Sequence, residues 1–129
     1  MLKLNSIHHV AIICSNYQVS KIFYTEVLGL KILKETYRAN RSSYKLDLLV
    51  NGKYQIELFS FPDPPERVTA PEAKGLRHLS FEVDNLTEAL HELNSMKVIT
   101  ESIRLDELTG KKFLFFSDPD GLPIELYEK

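Results

Sequence analysis

Two histidines and two glutamates recur at matched spacing. His9 lies in Ser-Ile-His-His-Val-Ala-Ile (6–12) and His78 in Leu-Arg-His-Leu-Ser-Phe (76–81). Glu57 lies in Gln-Ile-Glu-Leu-Phe (55–59) and Glu125 in Pro-Ile-Glu-Leu-Tyr (123–127). Each histidine precedes its glutamate by 48 or 47 residues. Two imidazole nitrogens and two carboxylates form an N2O2 donor set, which suits borderline divalent ions: Zn²⁺ or Ni²⁺ first, with Co²⁺, Mn²⁺ and Fe²⁺ also accommodated. Four protein ligands leave two octahedral positions for water or substrate oxygens. A lone strand histidine is most often a packing or surface residue; the weight here comes from the pattern being written twice.

Strands must carry these residues, because each glutamate sits between large apolar neighbours. Strand side chains alternate faces. Ile56 and Leu58, and likewise Ile124 and Leu126, would pack toward a core, leaving Glu57 and Glu125 on the opposite face. The residue two after each ligand histidine is small, Ala11 or Ser80, which leaves room for a ligand.

The elements repeat as well. Strands are expected at about 6–14 and 76–83. Helix-capping signatures follow at Ser15…Gln18 and Asn85…Glu88. Val19, Ile22, Phe23, Val27 and Leu28 mark one apolar helical stripe, and Leu86, Ala89, Leu90, Leu93 and Met96 the other. Gly29 suits the end of the first helix. Three strands follow each helix, at 30–38, 44–51 and 54–61, then at 98–105, 112–117 and 122–127. Asn51-Gly52 and Asp118-Pro-Asp-Gly121 read as turns. The order is βαβββ twice, an α+β chain of two tandem modules: 1–61 and 76–129, joined by a proline-rich connection at 62–75. Four of the six prolines sit in that connection.

Composition narrows the function classes. The 129 residues fit a single domain made of two modules. A net charge of −2, with no block of like charges, argues against nucleic acid or an anionic membrane as partner. No apolar run is long enough to span a bilayer, and no secretory signal pattern opens the chain. The single cysteine, Cys14, can form no internal disulfide, which fits a cytoplasmic location. Cys14 reads as a buried inert thiol, His8 as structural and His91 as solvated.

The set His9, Glu57, His78 and Glu125, the stretch Phe23-Tyr-Thr-Glu-Val-Leu-Gly29-Leu, and Asp118-Pro-Asp-Gly121…Ile124-Glu125 resemble the vicinal oxygen chelate superfamily, and within it bacterial glyoxalase I. The resemblance covers nearly the whole chain. It implies a glyoxalase/bleomycin resistance/dioxygenase-like fold, in which the modules curl their sheets into a cup. It implies a small-molecule substrate and a homodimer whose sites form between chains; the sequence equally allows a cup closed within one chain. The implied reaction moves a proton between adjacent carbons of a metal-chelated hemithioacetal through an enediolate. In that reading His9, Glu57, His78 and Glu125 hold the metal, Glu125 is the principal base and Glu57 a second catalytic carboxylate. Arg67, Lys74 and Tyr44 are candidates for the substrate side. A small-molecule binding or resistance module, a thiol transferase and an epimerase are the alternatives within the superfamily. Glu57 counts against the last two.

Overall fold

The structure is a computed structural model and describes residues 1–129. The chain divides into two compact units, Met1–Pro65 and Glu66–Lys129. The first contains β1 (Val10–Cys14), α1 (Tyr17–Ile22), a π-helical turn (Phe23–Val27), β2 (Lys31–Arg38), β3 (Ser43–Val50) and β4 (Lys53–Ser60). The second contains β5 (Leu79–Val83), α2 (Leu86–Ser95), β6 (Arg104–Leu105), β7 (Lys112–Ser117) and β8 (Pro123–Glu128). Each unit holds one four-stranded mixed sheet, ordered β1-β4-β3-β2 and β5-β8-β7-β6. In each, the first strand runs parallel to the last, and the remaining pairs are antiparallel. The expected βαβββ order is present in both.

Alternation explains the cores. In the first unit Leu46, Leu48, Ile56 and Leu58 are buried on one sheet face, under α1. In the second, Leu114, Phe116, Ile124 and Leu126 do the same, with Leu86 and Leu93 of α2. Each such side chain contributes roughly 1.5–3 kcal/mol by leaving water. Leu46 faces Leu58 across β3–β4, and Leu114 faces Leu126 across β7–β8; Leu46 and Leu114 are both 0% exposed.

The hairpin turn at Asn51-Gly52 has φ of +46° and +77°, the two left-handed residues a type I′ turn requires. At Asp118-Pro-Asp-Gly121 the Asp118 carboxylate accepts from the backbone N–H of Asp120 and of Leu122, both at 2.9 Å.

Several expectations shift. The first helix is capped by Asn16, whose side chain accepts from Val19 N–H at 3.2 Å, rather than by Ser15. Its buried side is Tyr17, Ser20, Phe23 and Tyr24, while Val19 and Ile22 lie 48% and 51% exposed. Aromatic rings bury more area than Val or Ile, and Tyr17 stacks on Tyr44 of β3 at 4.3 Å, so the aromatic stripe sets the phase. The strand expected at 98–105 shrinks to Arg104–Leu105. Its apolar start does not lie on a sheet: Ile99 is 91% exposed, and the stretch makes one ladder-like bond, Glu101 N–H to the Phe115 carbonyl at 2.8 Å. The opening strands begin later than expected, so His9 and His78 sit immediately before β1 and β5.

One irregularity bears on the site. Along β3–β4 the pairing Leu48↔Ile56 gives way to Leu49↔Tyr54, leaving Gln55 as an extra residue in β4. Such a bulge reverses the facing of everything beyond it. The β7–β8 pairing runs without a shift from Phe113↔Tyr127 to Ser117↔Pro123.

Candidate metal centre

The parallel pairing sets Ala11 beside Glu57 and Ser80 beside Glu125, so each histidine, two residues earlier, reaches toward its glutamate over a small side chain. His9 Nε2 lies 3.3 Å from Glu57 Oε2, and His78 Nε2 lies 3.3 Å from Glu125 Oε2. The two pairs are therefore equivalent atom for atom. Metal bonds of about 2.0–2.2 Å put neighbouring donors roughly 3.0–3.5 Å apart, so each pair has the separation of two ligands on one ion. The donor types fit as well. Each unit holds one such nitrogen and one such oxygen, and no cluster of three or more His, Cys, Asp or Glu side chains able to hold an ion forms in the chain.

Surrounding groups orient the imidazoles. His9 Nδ1 lies 2.8 Å from His8 Nδ1. Arg77 Nη1 lies 3.2 Å from His78 Nδ1. The His78 ring also meets the Phe115 ring edge-on, with centroids 5.0 Å apart.

Around Glu57 three further residues gather. Directly opposite on β3 stands Asp47, two residues from Lys45. Lys45 Nζ lies 3.0 Å from Glu57 Oε1 and 3.1 Å from Asp47 Oδ1. The Tyr54 hydroxyl donates to Glu57 Oε1 and lies 3.3 Å from Asp47 Oδ1. Tyr54 is three residues from Glu57 and in a regular strand would point away; the Gln55 bulge turns it in. Burial alone would push the Glu57 carboxyl up, but the Tyr54 hydroxyl, then Lys45 and His9, hold it below the ordinary glutamate value. Burial, then the Glu57 bond and the Asp47 charge, push the Tyr54 hydroxyl up. The Glu57 bond raises Lys45.

Sequence reasoning alone passes over Lys45, Asp47 and Tyr54. Lys45 and Asp47 carry a signal, two charges on alternate positions of a strand otherwise rich in leucine. Tyr54 carries none, since period-2 reading puts it on the wrong face. Tyr44, expected on the substrate side, packs instead beneath α1 against Tyr17, on the face opposite Glu57. Lys74 is exposed in the connection. Arg67 donates to the carbonyls of Leu76 at 2.6 Å and Arg77 at 2.9 Å, tying the connection to the lead-in of β5. It also walls a cavity of about 780 Å³ in the second unit, together with Arg77, Arg104, Lys97, Glu101 and Phe115. Arg77 and Phe115 are the residues that touch His78, so this cavity adjoins the second His–Glu pair.

Comparison with known proteins places the chain in a family. The profile of the Glyoxalase/Bleomycin resistance protein/Dioxygenase superfamily matches residues 6–126. The chain is 63% identical over 126 residues to the uncharacterised protein YwkD of Bacillus subtilis (strain 168), covering 98% of each. It is 56% identical over 129 residues to the uncharacterised protein YaeR of Escherichia coli (strain K12), covering 100% of each. Among solved structures, a glyoxalase family protein from Enterococcus faecalis shares 48% identity at a TM-score of 0.87, covering 95% of this chain and 97% of that one. The fold extends to the fosfomycin resistance protein FosX of Listeria monocytogenes, at 15% identity and a TM-score of 0.74, covering 98% and 94%; that structure is of a point mutant in complex with Mn(II). With the profile spanning nearly its whole length, the chain belongs to the glyoxalase/bleomycin resistance/dioxygenase superfamily, whose other name is vicinal oxygen chelate.

Proposed function

We propose that this chain is a metal-dependent lyase of the glyoxalase I type, moving a proton between adjacent carbons of a hemithioacetal or a similar substrate with two neighbouring oxygens. The observation that carries the reading is the pair of His–Glu contacts, each with Nε2 and Oε2 3.3 Å apart at register-equivalent places in two sheets. His9, Glu57, His78 and Glu125 would hold one divalent ion per site, Zn²⁺ or Ni²⁺ first. Membership of a superfamily that includes an Mn(II)-bound relative supports a divalent ion. Bound there, such an ion would offset the negative charge that develops on the two substrate oxygens as the C–H proton leaves.

The chain's own residues do the rest. The Glu125 carboxylate takes the proton from the first carbon as the C–H electron pair forms a carbon–carbon double bond and the neighbouring carbonyl pair moves onto its oxygen; the carboxyl then returns the proton to the neighbouring carbon, while the hydroxyl proton of the first carbon passes to the neighbouring oxygen. The substrate is isomerised, and Glu125 ends as it began. Glu125 suits the role because Phe115, not a cation or a hydroxyl, stands opposite it on β7. Glu57 is the second carboxylate. The cavity beside His78 supports a polar substrate: it is lined by Arg67, Arg77, Lys97 and Arg104 together with Glu72 and Glu101, and Arg77 and Arg104 are paired with those glutamates at 3.5 and 2.8 Å. The functional unit in this reading is a homodimer acting in the cytoplasm, the His–Glu pair of one chain being completed by that of a second copy.

The test couples metal analysis to a hemithioacetal isomerisation assay with several thiols and metals. Purified protein should retain about one divalent ion per chain and turn over at least one thiol adduct. Protein that stays metal-free after incubation with each ion, and binds apolar ligands unaffected by Glu125→Gln, would instead be a binding module.

A further inference from the structure

We infer that Tyr54 and Lys45 are positioning residues, which commit Glu57 to offering one oxygen, Oε2, to a bound cation. The inference rests on the metal-centre reading above and adds residues it does not contain. A free carboxylate can bind an ion through one oxygen or both. Here Oε1 accepts from the Tyr54 hydroxyl and lies 3.0 Å from Lys45 Nζ, while Oε2 is the atom turned to His9. The clamp is itself held, since Asp47 Oδ1 contacts both Lys45 at 3.1 Å and the Tyr54 hydroxyl at 3.3 Å. Tyr54 also touches the other ligand of the pair: its ring stacks on the His9 imidazole at 5.9 Å and 28°. One side chain thus fixes a nitrogen donor through its face and an oxygen donor through its hydroxyl.

The consequence concerns how many positions remain. Four ligands with one donor atom each leave two places on an octahedral ion, the number that a substrate with two adjacent oxygens requires. A two-oxygen Glu57 would take one of them. Tyr54 and Lys45 keep that place open.

Tyr54→Phe, Lys45→Met, their combination and Lys45→Arg would be compared with the unmodified protein, each reloaded with Co²⁺. Affinity is read by competition with a chromophoric chelator, coordination by the visible d–d bands. Tyr54→Phe and Lys45→Met should each weaken binding about 10–100-fold, as loss of a group that orients a ligand does. The double variant should show shifted bands and one fewer exchangeable water on the ion as the freed Oε1 takes its place, and a raised KM with a smaller change in kcat. Lys45→Arg should restore the unmodified spectrum. Thermal midpoints check folding, and the Lys45 pair carries the test if Tyr54→Phe fails to fold. Variants matching the unmodified protein in spectrum and affinity would overturn the positioning role alone. A Lys45→Met protein with raised KM but unchanged cobalt binding would make Lys45 a substrate contact, which also overturns it. An unmodified protein that takes up no Co²⁺ would overturn the metal-centre reading itself.

Discussion

The two His–Glu pairs are alike in their reacting atoms and unlike in everything around them. Both present Nε2 and Oε2 at 3.3 Å. Opposite Glu57 stand Asp47 and, two residues earlier, Lys45; at the same register places opposite Glu125 and its neighbour strand stand Phe115 and Phe113. Besides its imidazole, Glu57 is held by a lysine and a tyrosine, whereas the strand residues opposite and near Glu125 are phenylalanines. In the proposed function this difference divides the work, with Glu57 restrained as a ligand and Glu125 left able to move a proton.

The sharpest way to break this division is to neutralise each glutamate in turn. Glu125→Gln should cut turnover by about 10²–10⁴-fold with metal retained, the usual loss for a general base. Glu57→Gln should fail chiefly by losing metal, and so should His9→Ala. Equal turnover losses with metal retained in both glutamine variants, measured by elemental analysis beside kinetics, would erase the distinction. A second comparison concerns the cores, which should behave alike. Leu46→Ala and Leu114→Ala empty matched, fully buried positions and should each cost about 2–5 kcal/mol in denaturant unfolding. A large effect in one and none in the other would show that the units do not share a packing scheme.

The smallest effect is an acid one. Glu57 has a folded-state pKa below its ordinary value, so its contribution is present above the ordinary carboxylate range and is lost as pH falls through the lowered value. In metal-free protein, Tyr54→Phe should therefore cost about 1–2 kcal/mol near neutral pH, with the gap closing in acid. Thermal melts over a pH series would show it; a gap that stays constant to low pH would mean Tyr54 acts through packing alone.

Most of the fold is legible in the residues because alternation and duplication reinforce each other. Ile56-Glu57-Leu58 and Ile124-Glu125-Leu126 announce the same buried-out-buried strand twice. The helix phase misleads because a stripe drawn from apolar identity ignores size, and Tyr17 and Tyr24 outweigh Val19 and Ile22. The strand expected at 98–105 misleads because an apolar run says nothing about whether a partner strand lies alongside. At the site, the two His–Glu pairs are legible from spacing. Lys45 and Asp47 are readable in principle. Tyr54 is not, since its facing depends on a bulge that no residue type in β4 announces.

That bulge has a wider consequence. The hairpin at Asn51-Gly52 needs a two-residue connection, and an additional residue placed there would have altered the turn. Absorbed at Gln55 instead, it lets a side chain at an odd separation act beside one at an even separation, while the loop and the buried leucines keep their places. In a protein made of two copies, a single spare residue hidden mid-strand is thus a way for one copy to acquire an implement the other lacks, without either copy giving up its architecture.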